Sequence, residues 1–250
     1  MAERGRRTVK KAFPAEHPIL FEIILIIAAY ALALVFWFVG QALYLPVEVS
    51  IAIDRILAGL LLLIIFHKCF EFKKWFSGFV IMLPALLFAV WNIALCFIAG
   101  GGNPSFDASM LIFAFAPAIF EEVLFRGIFI HNLQENGKEP IQTLLISAAL
   151  FGVIHLTNIV GMPPAQVLVQ TGYAFVVGLV LGAIYIRSGD LASLIIAHFL
   201  IDFTSRVFPG GETTPIPMII AFIILMIAEA GYAFFLVRKG SDQGVQRSLT

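Results

Sequence analysis

Residues 106–133 read FDASMLIFAFAPAIFEEVLFRGIFIHNL, an apolar run broken by two adjacent glutamates, Glu121 and Glu122, and by Arg126. A carboxylate at membrane depth costs several kcal/mol unless it is paired or placed in a wet cavity, so an intramembrane pair marks a functional site by default. Adjacent residues on a helix point about 100° apart, and the two glutamates therefore cannot look the same way. Glu122 and Arg126 are four apart, share a face and can pair. Glu121 is left to face the interior of a helix bundle.

Working outward, the rest of the chain supplies the membrane setting. Of its 250 residues 60 % are hydrophobic and 13 % charged, with a mean hydropathy of +0.98. That composition excludes a soluble domain with a polar shell around one core. A span needs roughly 20 apolar residues, and runs of that kind fall at 19–43, 49–66, 76–99, 106–133, 141–160, 165–186, 191–208 and 216–237. The expected fold is an all-α membrane protein, a polytopic bundle of about eight transmembrane helices with a cavity near the midplane. Spans and short loops use up the chain and leave no room for a second folded domain.

Lysine and arginine set the orientation. Arg4, Arg6, Arg7, Lys10 and Lys11 precede the first span, Lys68, Lys73 and Lys74 fill the second loop, and Lys138, Arg187, Arg238, Lys239 and Arg247 fall on the same side. The alternate loops at 44–48, 100–105, 158–164 and 206–215 contain Arg206 as their only basic residue. Both termini are expected to be cytoplasmic, with an even number of spans, in a prokaryotic plasma membrane. The basic N-terminus resembles a signal peptide, but 19–43 is too long for the apolar segment of one and reads as a retained span. Glycine and proline at Gly100-Gly101-Gly102-Asn103-Pro104 and Pro209-Gly210-Gly211 mark turns in the external loops.

Several function classes fall away. The basic residues lie in loops without an aromatic-basic patch, so no nucleic-acid partner is expected. Cys69 and Cys96 are too few and too far apart for a disulfide framework or a thiolate metal site. Cys69, beside Lys68 at a membrane edge, is an acylation candidate, although a plain interfacial cysteine is the commoner case. His17, His67, His131, His155 and His198 are followed by Pro, Lys, Asn, Leu and Phe, which removes the His-Glu-x-x-His zinc pattern. There is no Gly-x-Ser-x-Gly elbow and no phosphate-cradling glycine loop.

Three polar constellations remain, on three spans: Glu121, Glu122 and Arg126; Phe151 and His155; His198 and Asp202. Each of the last two pairs also shares a helix face through its spacing of four. At about 1.5 Å of rise per residue, Glu121, His155 and His198 lie roughly 16, 21 and 12 Å from the cytoplasmic ends of their spans. All three fall towards the middle of a hydrocarbon layer about 30 Å thick. A lone buried His or one i,i+4 ion pair is usually a packing element; two His, two Glu, an Asp and an Arg at similar depth argue for a shared site. Asp54 and Arg55, near the external end of the second span, read as an interfacial or interhelical pair, and Glu229 as a structurally paired charge.

Glu121-Glu122-x-x-x-Arg126 followed by Gly127, Phe151-x-x-x-His155 and His198-x-x-x-Asp202, in this order on separate spans, resemble the three motifs of the CPBP family. That family, also called Abi, comprises type II CAAX prenyl proteases and bacteriocin-processing membrane proteins. The resemblance covers 106–208. It divides the chain into a basic N-terminus at 1–18, N-terminal transmembrane helices at 19–105, a CPBP-like catalytic core at 106–208, and a last helix with a cytoplasmic tail at 209–250.

What the resemblance implies is an intramembrane endopeptidase acting on a membrane-associated peptide or protein. Glu121 is similar to the family's general base and His155 to the residue that helps hold the water. His198 with Asp202 corresponds to the pair that stabilises the oxyanion, while Glu122, Arg126 and Phe151 are supports. The last motif position is often Asn in the family, and an ionised Asp202 would repel an oxyanion. Asp202 must then be protonated, orient His198, or serve a metal. Members are often labelled metalloproteases, in which case zinc would be held by His155 and His198, and a carboxylate beside a histidine ligand favours that label; another view has glutamate acting without metal. Two other readings stay open: a transporter using Glu121, His155 and His198 as a proton relay, and a non-catalytic binding or immunity protein on the same scaffold. The relay lacks support from duplicated halves, since the first three spans carry no counterpart of the motifs.

Overall fold

A computed structural model describes residues 16–99, 103–210 and 214–248, without the side chains of 240–248. The basic residues at Arg4 to Lys11, the glycines Gly100, Gly101, Gly102 and Gly211, and the side chain of Arg247 lie outside the described residues. Eight helical segments follow one another, with no strand among the described residues. They are α1 (Pro18–Ala42), α2 (Val47–Ile65), α3 (Phe79–Ile98), α4 (from Ser109), α5 (Pro140–Ile154), α6 (Pro164–Ser188), α7 (Leu191–Val207) and α8 (Ile216–Ser248). The chain is an all-α integral membrane protein.

Local chemistry explains where these helices begin and end. Pro18, Pro140 and Pro164 occupy first-turn positions, where a missing N–H costs nothing. Asp107 accepts a hydrogen bond from the Ser109 N–H at 2.7 Å ahead of α4. Gly189, at φ +69°, takes the left-handed turn that closes α6. Asp190 then caps α7, accepting from the Ser193 N–H at 3.1 Å and the Ser193 hydroxyl at 2.6 Å, and ties in the Gly78 N–H at 2.8 Å.

Helix α4 departs most from the regular helix that the sequence suggests. Ser109–Glu121 is α-helical, Glu122–Ile130 is π-helical, and His131–Glu135 returns to α. Pro117 has no N–H to offer the Phe113 carbonyl, so the ladder is already interrupted one turn before Glu121. The Ser147 hydroxyl on α5 donates to the Phe125 carbonyl at 3.0 Å, satisfying a backbone group within the wider turn.

Packing puts α4 at the centre, with α2 on one side and α7 on the other, while its π-helical part also touches α5 and α6. Among the described residues five helices are long and apolar enough to cross a membrane: α1, α3, α5 with its extension to Val160, α6 and α8 up to Lys239. The remaining three, α2, α4 and α7, carry Asp54 and Arg55, Glu121, Glu122 and Arg126, and His198 and Asp202. Of the charged helices, α4 packs against both α2 and α7, while the apolar α6, with Val177 to Tyr185 buried, is also part of the interior. Small residues allow the close approaches such packing needs. A Cβ on Gly59 would lie 3.1 Å from the Phe120 backbone, and one on Gly178 would lie 3.1 Å from the Ala148 Cα.

Candidate active site

Each of the seven residues singled out by the motifs comes to one region where α4, α5 and α7 meet. They form two layers. The outer layer borders a cavity of about 450 Å³, whose walls include Glu121 from α4, His155 from the end of α5, and His198 and Asp202 from α7. The inner layer is Glu122, Arg126 and Phe151, all essentially without solvent exposure.

The two glutamates diverge as their positions on the helix require. Glu122 Oε1 lies 2.9 Å from Arg126 Nη1 and 2.7 Å from His198 Nδ1, so one oxygen joins three residues on two helices. An ionised carboxylate only accepts, which assigns the hydrogen to His198 Nδ1. The carboxylate that orients His198 is thus Glu122. Asp202 Oδ1 is 3.8 Å from His198 Nε2, beyond hydrogen-bond range, and Glu121 Oε2 is 3.9 Å from the same nitrogen. Glu121 and Asp202 face the open ring nitrogen of a histidine that Glu122 holds from behind.

His155 is set by different means. The α-helix ends at Ile154 and a tighter 3₁₀ turn runs over His155–Val160. His155 Nδ1 lies 2.8 Å from the Phe151 carbonyl, which again only accepts, so Nδ1 carries the hydrogen and Nε2 remains open. Both histidines therefore expose the same kind of ring nitrogen. Phe151 acquires a definite task from the packing: its ring lies 4.2 Å beneath the Arg126 guanidinium, and its centroid is 5.0 Å from that of His155 and 6.0 Å from that of His198. It provides a cation–π face for a buried charge and a wall for both imidazoles.

Gly127, immediately after the arginine, is required by a neighbour. A Cβ there would run into the ring of Phe70, which the loop between α2 and α3 inserts against α4. The loop of lysines thus anchors one apolar side chain beside the buried pair.

Some wall residues were not among the candidates. Arg55, read from sequence with Asp54 as an interfacial or interhelical pair, lies on the cavity with its guanidinium 4.5 Å from the Tyr30 ring and 5.0 Å from the Phe120 ring; its contact with Asp54 is a loose 3.7 Å. The aromatic rings, on α1 and α4, draw it across rather than leaving it at the interface. Arg206, where the span at 191–208 overlaps the loop at 206–215, belongs to the last turn of α7 and also lines the cavity. Asn158 donates to Gln170 at 2.8 Å on the same wall. The embedded charge of Arg55 was the one sequence signal for these; Tyr30, Asn158 and Gln170 offered none.

Among the described residues no group of three or more His, Cys, Asp or Glu side chains converges so as to hold one metal ion. The open nitrogens of His155 and His198 are suitable donors in kind, but as placed they do not complete a set.

Residues 103–204 match the family of type II CAAX prenyl endopeptidases, described as Rce1-like. The match spans all three motifs. The match supports membership of the CPBP family. No curated protein and no solved structure is similar enough to match it. The matched residues take in most of α4, α5, α6 and α7, while α1 and α2, which bring Tyr30 and Arg55 to the cavity, lie outside the match.

Proposed function

We propose that the chain is an intramembrane endopeptidase that cleaves a membrane-associated peptide or protein with water activated by Glu121. The observation that carries this reading is the contrast within one dipeptide: Glu122 is sealed against Arg126 and His198, while Glu121 borders the cavity with His155, His198 and Asp202. A base needs access to water, and an oriented histidine needs a fixed partner.

In the proposed reaction a water between Glu121 and His155 gives a proton to the Glu121 carboxylate as its oxygen bonds to the scissile carbonyl carbon. The oxyanion that forms takes a hydrogen bond from His198 Nε2, protonated in this state, with Glu122 behind Nδ1. Collapse re-forms the carbonyl and breaks the C–N bond, and Glu121 passes its proton to the leaving amine. The products are one carboxyl and one amine terminus. Asp202, 3.8 Å from His198 Nε2, is too far to orient it by a hydrogen bond and is protonated in this step, so that it adds no charge to repel the oxyanion. No step is routed through a metal, and metal analysis of the purified protein, with chelation before assay, tests the zinc expectation for His155 and His198.

The deciding experiment compares the peptides in membranes of cells carrying the wild-type chain, Glu121→Ala or His155→Ala. Products lost in both variants, at unchanged protein levels, support the proposal. An identical peptide profile in all three would overturn it.

A further inference from the structure

The catalytic cavity has a direction. Its walls are built from the ends of helices that share one side of the bundle: Glu48 in the first turn of α2, Phe113 early in α4, Asn158 after α5, Gln170 early in α6 and Arg206 in the last turn of α7. These turns adjoin the loops at 43–46, 99–108, 156–163 and 208–215.

The opposite direction is closed. Beyond Glu122 the π-helical part of α4 places Phe125, Arg126, Phe129 and Ile130 in a region with no solvent exposure, and Leu133 continues it. Leu144 and Ala148 from α5 and Leu194 and Ala197 from α7 are equally sealed. Among the described residues, this plug separates Glu121 from the end of the bundle that carries Lys68, Lys73, Lys74, Lys138 and Arg187. The lysine-rich loops mark the cytoplasmic side, and the only basic residues towards the mouth, Arg55 and Arg206, are parts of the cavity wall.

We infer that the active-site cavity opens to the non-cytoplasmic face, so that the substrate is a peptide presented from the outer half of the bilayer or beyond it. This substrate class rests on the endopeptidase reading; the direction of the cavity does not. A polypeptide terminus held at the cytoplasmic surface would meet the apolar plug and could not reach Glu121. An exported peptide, or the segment of a membrane protein just outside its span, would meet a polar cavity open to water.

The test uses the full chain in intact cells, with Cys69→Ser and Cys96→Ala removing the native thiols. Thr157→Cys, on the cavity wall, Tyr44→Cys, on a loop at the mouth end, and Lys73→Cys, at the lysine-rich end, are each treated with a membrane-impermeant charged maleimide. Thr157→Cys and Tyr44→Cys are expected to label in intact cells, and Lys73→Cys only after the membrane is opened. The reverse pattern overturns the inference, and Tyr44→Cys decides the orientation even if Thr157→Cys fails to accumulate. External labelling of Thr157→Cys is also expected to abolish the peptide products that depend on Glu121, measured against the same variant unlabelled. If those products persist after complete labelling, the substrate does not enter by this mouth. If no Glu121-dependent product exists, the endopeptidase reading fails while the labelling still decides where the cavity opens.

Discussion

Glu121 and Glu122 share a helix and a side chain, yet the first borders a cavity of about 450 Å³ whereas the second is enclosed between Arg126 and His198. The difference teaches how a membrane protein keeps a reactive carboxylate. A charge in a dry bundle must be paired, and once Arg126 and His198 have taken Glu122 Oε1 that carboxylate is no longer a base for water. A charge beside a wet cavity needs no such partner. The pairing of one glutamate positions the histidine that works with the other.

The comparison breaks most sharply at the wet residue. Glu121→Gln keeps the shape and removes the base, and turnover is expected to fall by about 10²–10⁴-fold with an unchanged thermal unfolding profile in detergent. An unfolding temperature that falls together with turnover would instead make Glu121 a structural residue.

Next comes the dry pair. Arg126→Leu leaves Glu122 buried without its cation and is expected to cost about 3–5 kcal/mol of stability. Replacing both, as Glu122→Leu with Arg126→Leu, is expected to recover most of that loss while turnover stays low, because His198 has lost the acceptor at Nδ1. A double variant with full activity would show that Glu122 does not orient His198.

Smaller effects sharpen the picture of what surrounds the pair. Gly127→Ala sets a methyl against Phe70 and is expected to cost about 1–3 kcal/mol, relieved by Phe70→Leu in the same chain; denaturation of the three variants measures it. Phe151→Leu withdraws the ring beneath Arg126, a contact worth roughly 0.5–2 kcal/mol, and should lower stability without abolishing turnover. Asp202→Asn, which installs the residue often found in the family, is expected to leave turnover nearly unchanged. A loss as large as that of Glu121→Gln would make Asp202 a participant rather than a neutral neighbour of the site.

Much of the site could be read from local spacing. Four-residue intervals placed Glu122 with Arg126, Phe151 with His155 and His198 with Asp202, because an interval of about one turn defines a face whatever the rest of the chain does. The same rule separated Glu121 from Glu122. It was silent on the π-helical turn, which depends on how neighbouring helices satisfy displaced carbonyls, as Ser147 does for Phe125. It was silent too on Arg55, whose embedded charge was visible but whose attraction to Tyr30 and Phe120 was not.

The sequence by itself therefore determined the apolar spans, their charge asymmetry and the face on which each functional side chain stands, since all three follow from composition and helical geometry. Only the tertiary structure decided which faces meet. Glu122 and His198 are 76 residues apart, and no spacing rule links them; their contact exists because α7 packs against α4. The cavity, its closed end and the cation–π floor under Arg126 arise in the same way, from the mutual packing of helices whose individual patterns hold no record of their neighbours.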